Sequence, residues 1–261
     1  MKLTLENVNF NYSKFKIKDI NLEFNSGEII AITGNNAGGK TTLLGLVSGI
    51  IKPKKGKVLI DGVSLKMSPV KIGVVFQNPD SQVIFNNVYD DICFTLKNFQ
   101  IPKQEWDKRI NDALVAVGME EFKNGEIFEL SAGQKQRIVI ANMLAINPDI
   151  IIFDESSSYL DTTYKDKFYR LILNLKEQGK LVIFATNVLE EIAFADRVIF
   201  ISNGEIKFDL SKDEAIKGLE LFEKNNMYVP LKLKLMREFN INSGFDDDIF
   251  NEMRAKKWRH F

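Results

Sequence analysis

Ile29-Ile30-Ala31-Ile32-Thr33-Gly34-Asn35-Asn36-Ala37-Gly38-Gly39-Lys40-Thr41-Thr42-Leu43-Leu44 is the stretch that decides the fold. A short apolar run enters a glycine-rich loop, apolar residues at helical spacing leave it, and Gly49 supplies a stop. Residues 34–41 satisfy G-x-x-x-x-G-K-[ST] in the strand–loop–helix context that this pattern requires. Such a loop turns successive backbone N–H groups toward one centre and adds the positive end of a helix, so it holds a polyphosphate. Asn35, Asn36, Ala37, Gly38, Gly39 and Thr42 then form the cradle, Lys40 reaches the outer phosphates of ATP, and Thr41 meets a Mg²⁺ ion. A glycine-rich turn that happens to precede a lysine is the plain alternative.

Upstream, apolar and polar residues roughly alternate over residues 3–12 and 17–24, the period of half-buried strands. Downstream, residues 57–60 and 72–76 read as further strands, whereas residues 106–117 and 134–145 have amphipathic helical spacing. From Asp149 the pattern returns to buried parallel strands, IIIF and then LVIFAT, separated by a helical stretch over residues 164–176. This alternation predicts an α/β core interrupted by a helical insert. After Phe208 the composition turns charged, ending with acidic residues 246–248 and basic Lys256, Lys257 and Arg259, which reads as a small helical appendage. There is no internal repeat or low-complexity tract.

Ile150-Ile151-Ile152-Phe153-Asp154-Glu155 sets two carboxylates at the mouth of a buried strand. Beside a phosphate loop, Asp154 is placed to hold Mg²⁺ through water and Glu155 to orient or deprotonate an attacking water. A strand that simply ends in polar residues is the competing reading. Between the two acidic and glycine-rich motifs stands Leu130-Ser131-Ala132-Gly133-Gln134-Lys135-Gln136-Arg137.

With that segment the chain resembles the ABC-transporter ATPases, whose hallmark is LSGGQ ahead of the second acidic motif. The resemblance covers nearly all of residues 1–208. It implies an α/β fold: a P-loop ABC ATPase core over residues 1–78 and 148–208 with an antiparallel β subdomain, a helical signature subdomain over 79–147, and a C-terminal appendage over 209–261. Ser131 is a good helix N-cap and the Gly133 backbone can approach an anion closely, so Ser131, Gly133 and Gln134 start a second phosphate-facing helix, or merely cap one. In the family this signature completes the site of the opposite subunit, which implies a dimer that sandwiches ATP. Tyr12 matches the aromatic that stacks on adenine, although a strand tyrosine also covers core. Gln77 matches the glutamine that couples the nucleotide and its metal to the helical insert, and Asp161 the cross-subunit hydrogen-bonder of the dimer loop. Phe76-Gln77-Asn78-Pro79-Asp80-Ser81-Gln82, Val88-Tyr89-Asp90-Asp91-Ile92-Cys93-Phe94 and the segment LFEKNNMYVP over 221–230 are similar to energy-coupling-factor ATPases. Those drive uptake of vitamins or of cobalt and nickel ions, with two ATPase subunits joined to a membrane scaffold and a substrate-binding membrane protein.

Four positions depart from the family pattern. Ala37 stands where glycine is usual; Ala132 and Ser156 replace a signature glycine and a proline. Most consequential, Asn187 stands where the family has a histidine that contacts the γ-phosphate. Asparagine donates a neutral hydrogen bond but carries neither imidazole's charge nor its proton shuttle. The resemblance together with Asn187 favours a heterodimer with a histidine-bearing second ATPase subunit, while a nucleotide-gated subunit with little hydrolysis of its own and a non-transport ABC ATPase stay open. Lys plus Arg and Asp plus Glu balance at 35 each, so no basic field points to nucleic acid. The single cysteine, Cys93, and single histidine, His260, build neither a disulfide framework nor a Cys/His metal site, which suits a reducing compartment. No basic-then-apolar leader and no long apolar run is present, so the expected location is the cytoplasmic face of the cell membrane, reached through membrane partners.

Overall fold

A computed structural model describes residues 1–12 and 15–257; Arg259 and His260 of the basic tail lie outside the described residues. The opening strands β1 (Lys2–Tyr12) and β2 (Phe15–Asn25) pair antiparallel, and with β4 (Lys55–Ile60) and β5 (Val63–Ser64) they form a four-stranded sheet in the order β2-β1-β4-β5. Leu3, Leu5, Ile20, Leu22 and Phe24 point inward from it, as the sequence alternation requires.

The second sheet has the order β10-β9-β3-β8-β7-β6. Its parallel strands are β3 (Ile29–Thr33), β6 (Ile72–Val75), β7 (Ile150–Asp154), β8 (Leu181–Thr186) and β9 (Arg197–Ser202), with β10 (Glu205–Ser211) antiparallel at one edge. Every residue of β3, β7 and β8 is buried, because both faces are covered. Alternate residues divide between two cores. Ile30, Ile32, Ile152 and Ile183 pack with α1 (Lys40–Val47) and the antiparallel sheet, while Ile29, Ala31, Ile151 and Phe153 pack with the helices on the other side.

Those helices include α2 (Val88–Asn98), α3 (Trp106–Ala116) and α4 (Ala132–Ala145), which pack around Ile92, Leu96, Ile110, Leu114 and Ile138. On the same face lies α5 (Thr162–Glu177), where Phe168 meets Phe153 edge-on with centroids 5.0 Å apart. Beyond β10, the described residues form four short helices: α6 (Lys212–Lys217), α7 (Glu220–Lys224), α8 (Leu231–Phe239) and α9 (Asp246–Lys257). They join the same core through Phe222, Leu233, Met236 and Ile249. The sheet therefore carries the C-terminal ends of β3, β6, β7 and β8 to one edge, where loops of α/β proteins bind ligands.

Candidate functional site

The loop between β3 and α1 lies close against its neighbours. A Cβ on Gly34 would stand 2.0 Å from the Ile201 carbonyl oxygen, and φ there is +148°, so only glycine fits. Ala37 holds a left-handed φ of 59°, which costs a non-glycine residue about 1–2 kcal/mol. Two backbone bonds hold the loop against that strain: Gly38 N–H donates to the Asn35 carbonyl at 3.0 Å, and Gly204 N–H to the Gly38 carbonyl at 2.9 Å. The N-cap of α1 is Gly39, with no side-chain cap and no acidic residue in the first turn. The first-turn N–H groups thus have no local anion, which leaves them free for one.

Lys40 begins α1 and is only 5% exposed. Its ammonium donates to the carbonyls of Gly34 at 3.1 Å and Asn35 at 3.3 Å and to Asn187 Oδ1, and sits 3.6 Å from Glu155 Oε1. Burial lowers its pKa; the carboxylates of Glu155 and Asp154 oppose that shift. Asn187 Nδ2 in turn donates to Glu155 Oε1 at 2.6 Å, and Gln77 Nε2 donates to Glu155 Oε2 at 3.1 Å. Lys40, Gln77, Glu155 and Asn187 therefore form one network, brought together from the loop and the ends of β6, β7 and β8. Glu155 itself is left-handed at φ 50°, and Ser156, in place of proline, ties the turn after it to β6 through Oγ donating to the Val75 carbonyl at 3.2 Å.

Asp154 is buried, and its Oδ1 has no hydrogen-bond partner among the described residues. Burial raises its carboxyl pKa; the Thr41 hydroxyl pulls it down, the Glu155 charge raises it and the Lys40 ammonium lowers it. A buried carboxylate oxygen without a partner, beside a threonine hydroxyl, suits a hard cation. No group of three or more His, Cys, Asp or Glu is placed to hold a metal among the described residues. Oxygen ligands from elsewhere, such as phosphates, must complete the shell.

Gln77, Glu155 and Asn187 open onto a cavity of about 940 Å³ also lined by Tyr12 and residues 36–42; Asn35 and Asp154 are not among its lining residues. Tyr12 is 76% exposed, so its ring covers no core and stands free at the cavity wall. Phe10, Phe15 and Ile51 also line it, and sequence reasoning missed them. Phe10 was within reach, since it precedes Tyr12 by two on one strand and so shares its face. Phe15 was not, because its place depends on the fold bringing its ring to within 2.8 Å of where a Gly39 Cβ would be.

Ser131, Gly133 and Gln134 do not line this cavity. Ser131 caps α4 in a reciprocal capping box: its Oγ accepts from Gln134 N–H, and Gln134 Oε1 accepts from Ser131 N–H at 2.9 Å. A Cβ on Gly133 would lie 2.9 Å from the Tyr159 carbonyl oxygen, so the start of α4 is seated on the loop that follows Glu155. Asp161 caps α5, accepting from Tyr164 N–H at 2.8 Å. Within one chain the arrangement thus offers an anion cradle, a cation position, a carboxylate for water and an aromatic wall, with a second glycine-containing helix start left outside.

The sequence profile described as "ABC transporter" matches residues 17–158. The energy-coupling factor transporter ATP-binding protein EcfA1 of Oenococcus oeni is 39% identical over 249 residues, covering 91% of this chain and 90% of that one. Among solved structures, cbiO1 from Clostridium perfringens, part of the ABC transporter complex cbiONQ, superposes with a TM-score of 0.74 at 32% identity, covering 90% of this chain and 98% of its own. The ATP-binding cassette MJ0796, solved as a dimer in a post-hydrolysis state with ADP and Pi, gives 0.72 at 28% identity over 80% of this chain and 98% of its own.

Proposed function

The chain belongs to the ABC transporter family, and from that premise we propose that it is the ATP-hydrolysing motor subunit of an energy-coupling-factor-type importer that takes up a vitamin or a transition-metal ion. The observation that carries the reading is the single network of Lys40, Gln77, Glu155 and Asn187 at the mouth of an anion-cradling loop. Relatives named as energy-coupling-factor subunits support the subfamily, and the cbiONQ neighbour supports a membrane assembly.

ATP enters with its base against Tyr12 and its phosphates on the N–H groups of residues 36–42. The outer phosphates displace Asn187 Oδ1 and Glu155 from the Lys40 ammonium, which is already desolvated and aimed at them. Mg²⁺, held by Asp154, Thr41 and Gln77, would neutralise charge developing on the phosphates. Glu155, freed from Lys40 but still gripped by Gln77, is left to orient the attacking water. Asn187 retains one N–H pair for the γ-phosphate but supplies no proton. Ser131, Gly133 and Gln134 serve the site of a second ATPase subunit in a sandwich, which their absence from the lining of this chain's own cavity favours.

No described helix is long and apolar enough to cross a membrane, so attachment at the cytoplasmic face runs through a scaffold and a substrate-binding membrane protein. The docking surface lies on the helical insert, where Ile84 and Phe85 are exposed beside a small cavity lined by Gln82, Phe94 and Phe99. The test is cross-linking in native vesicles from a cysteine at Phe85. We expect adducts with an integral membrane protein; adducts with soluble proteins alone would return the chain to the non-transport ATPases.

A further inference from the structure

The turn that ends α7 reaches back to the phosphate loop, although it lies far away in sequence. The Asn35 side-chain amide donates to the Asn225 carbonyl at 3.3 Å, and the Thr33 hydroxyl points at Met227 Sδ at 3.8 Å. Thr33 is the last residue of β3 and Asn35 the second residue of the loop, so both contacts fall where the strand gives way to the cradle. Asn35 is also where the loop closes on itself. Its carbonyl accepts from Gly38 N–H at 3.0 Å and from the Lys40 ammonium at 3.3 Å. Rotating Asn35 would therefore move the ammonium and the Gly38 N–H together.

The turn is itself firmly held. Met227 N–H and Asn225 N–H both donate to the Phe222 carbonyl, at 2.9 and 3.0 Å, and Asn225 Nδ2 donates to the Leu221 carbonyl at 2.8 Å. Asn226 takes the left-handed φ of 61° that closes a helix end. Phe222 is fully buried and meets Phe208 of β10 edge-on with centroids 5.1 Å apart, fixing α7 to the same β9–β10 hairpin whose Gly204 N–H holds the Gly38 carbonyl. The loop is thus braced at two points, one from the hairpin and one from the appendage.

Resting on the nucleotide reading above, we propose that Asn225 and Met227 are positioning residues for ATP binding: the appendage acts through Asn35 to set the phosphate loop in its binding shape. Preorganisation of this kind lowers the cost of ordering the cradle when the phosphates arrive. It also makes nucleotide affinity respond to whatever touches the appendage.

The experiment is calorimetric binding of a nonhydrolysable ATP analogue with Mg²⁺ to the full chain, beside hydrogen exchange of the loop amides. Asn35→Ala and Met227→Ala should each weaken binding about 2- to 10-fold, the range of one net hydrogen bond. The double variant should be little weaker than the poorer single, since the two contacts tie the same turn to the same loop entrance and losing either frees it. Exchange at residues 34–40 should quicken in Met227→Ala, and Met227→Leu, which keeps the packing volume but loses the sulfur facing the Thr33 hydroxyl, should restore only part of the affinity. Should Met227→Ala fail to fold, Asn225→Ala, which cuts the Leu221 tie and so loosens the turn whose carbonyl Asn35 reaches, should weaken binding in the same direction but less. Wild-type affinity in the variants, or losses that multiply independently, would overturn the proposal while leaving the ATPase reading intact. A wild-type chain that binds no analogue would instead remove the ATPase reading.

Discussion

Asp154 shows how a single residue can be costly alone and useful when loaded. Its carboxyl pKa is raised chiefly by burial, so folding favours its protonated form. The stability it contributes is full at pH below the unfolded value, near 3.9, and is lost as pH rises through the elevated folded value. Once ionised, the buried, unpartnered oxygen is a burden that a bound cation relieves. We expect Asp154→Asn to raise the melting midpoint of the metal-free chain at pH 7, by roughly 2–4 °C for each kcal/mol relieved. The extra stabilisation that Mg²⁺ adds to bound nucleotide should disappear. Scanning fluorimetry with and without Mg²⁺ reads both, and a lower midpoint for the metal-free variant would show that the carboxylate is satisfied rather than waiting.

At the scale of elements, the start of α4 joins two motifs that the sequence presents separately. Because a Gly133 Cβ would press to 2.9 Å on the Tyr159 carbonyl oxygen, Gly133→Ala must shift either the helix start or the loop carrying Ser158 and Asp161. We expect ATPase activity of the assembled complex to fall severalfold while this chain's affinity for a nonhydrolysable analogue stays within about twofold, since Gly133 does not line its own cavity. An affinity loss matching the activity loss would contradict that separation. The backbone contact behind it is invisible in the sequence, where Gly133 reads only as a residue that lets an anion approach. β3, the loop and α1 were legible because strand period, motif and helix spacing agree over one short stretch. Helix α2 was not, because Asp91 is buried in it, accepting from the N–H groups of Ile84 and Phe85 at 2.9 Å each and from Asn142 Nδ2 at 2.6 Å, and so breaks the amphipathic pattern. β10 also escaped notice: its residues alternate only between exposed and half-buried, and it runs to Ser211, past the start of the charged composition at Phe208. Of the site, the residues with side-chain chemistry could be read from motifs, but Phe15 and the brace from residues 225–227 exist only through tertiary contact.

For the molecule as a whole, the proposed reading has Asn187 weakening one site while the signature serves another. In a homodimer both sites would lack the histidine of the family. Paired with a histidine-bearing relative, this chain would instead contribute one weakened site, built on Lys40, Asp154, Glu155 and Asn187, and would complete a competent one with Ser131 and Gly133. Removing one preorganised group that stabilises a transition state costs about 2.7–4 kcal/mol, or roughly 10²–10³ in rate. The competent site would then carry nearly all turnover. The two halves of this chain should respond unequally to mutation. Ser131→Arg puts a bulky cation at an exposed helix start, which in the proposed pairing would face the competent site, and should nearly abolish ATPase activity of the complex. Glu155→Gln strikes the site already weakened and should leave much of the activity, even though Glu155 is the hub joined to Lys40, Gln77 and Asn187. The measurement is the ATPase rate of purified complexes carrying each variant against wild type. Equal losses, or a larger loss for Glu155→Gln, would mean that Asn187 supports hydrolysis after all, because only a working site on this chain can make its own carboxylate indispensable.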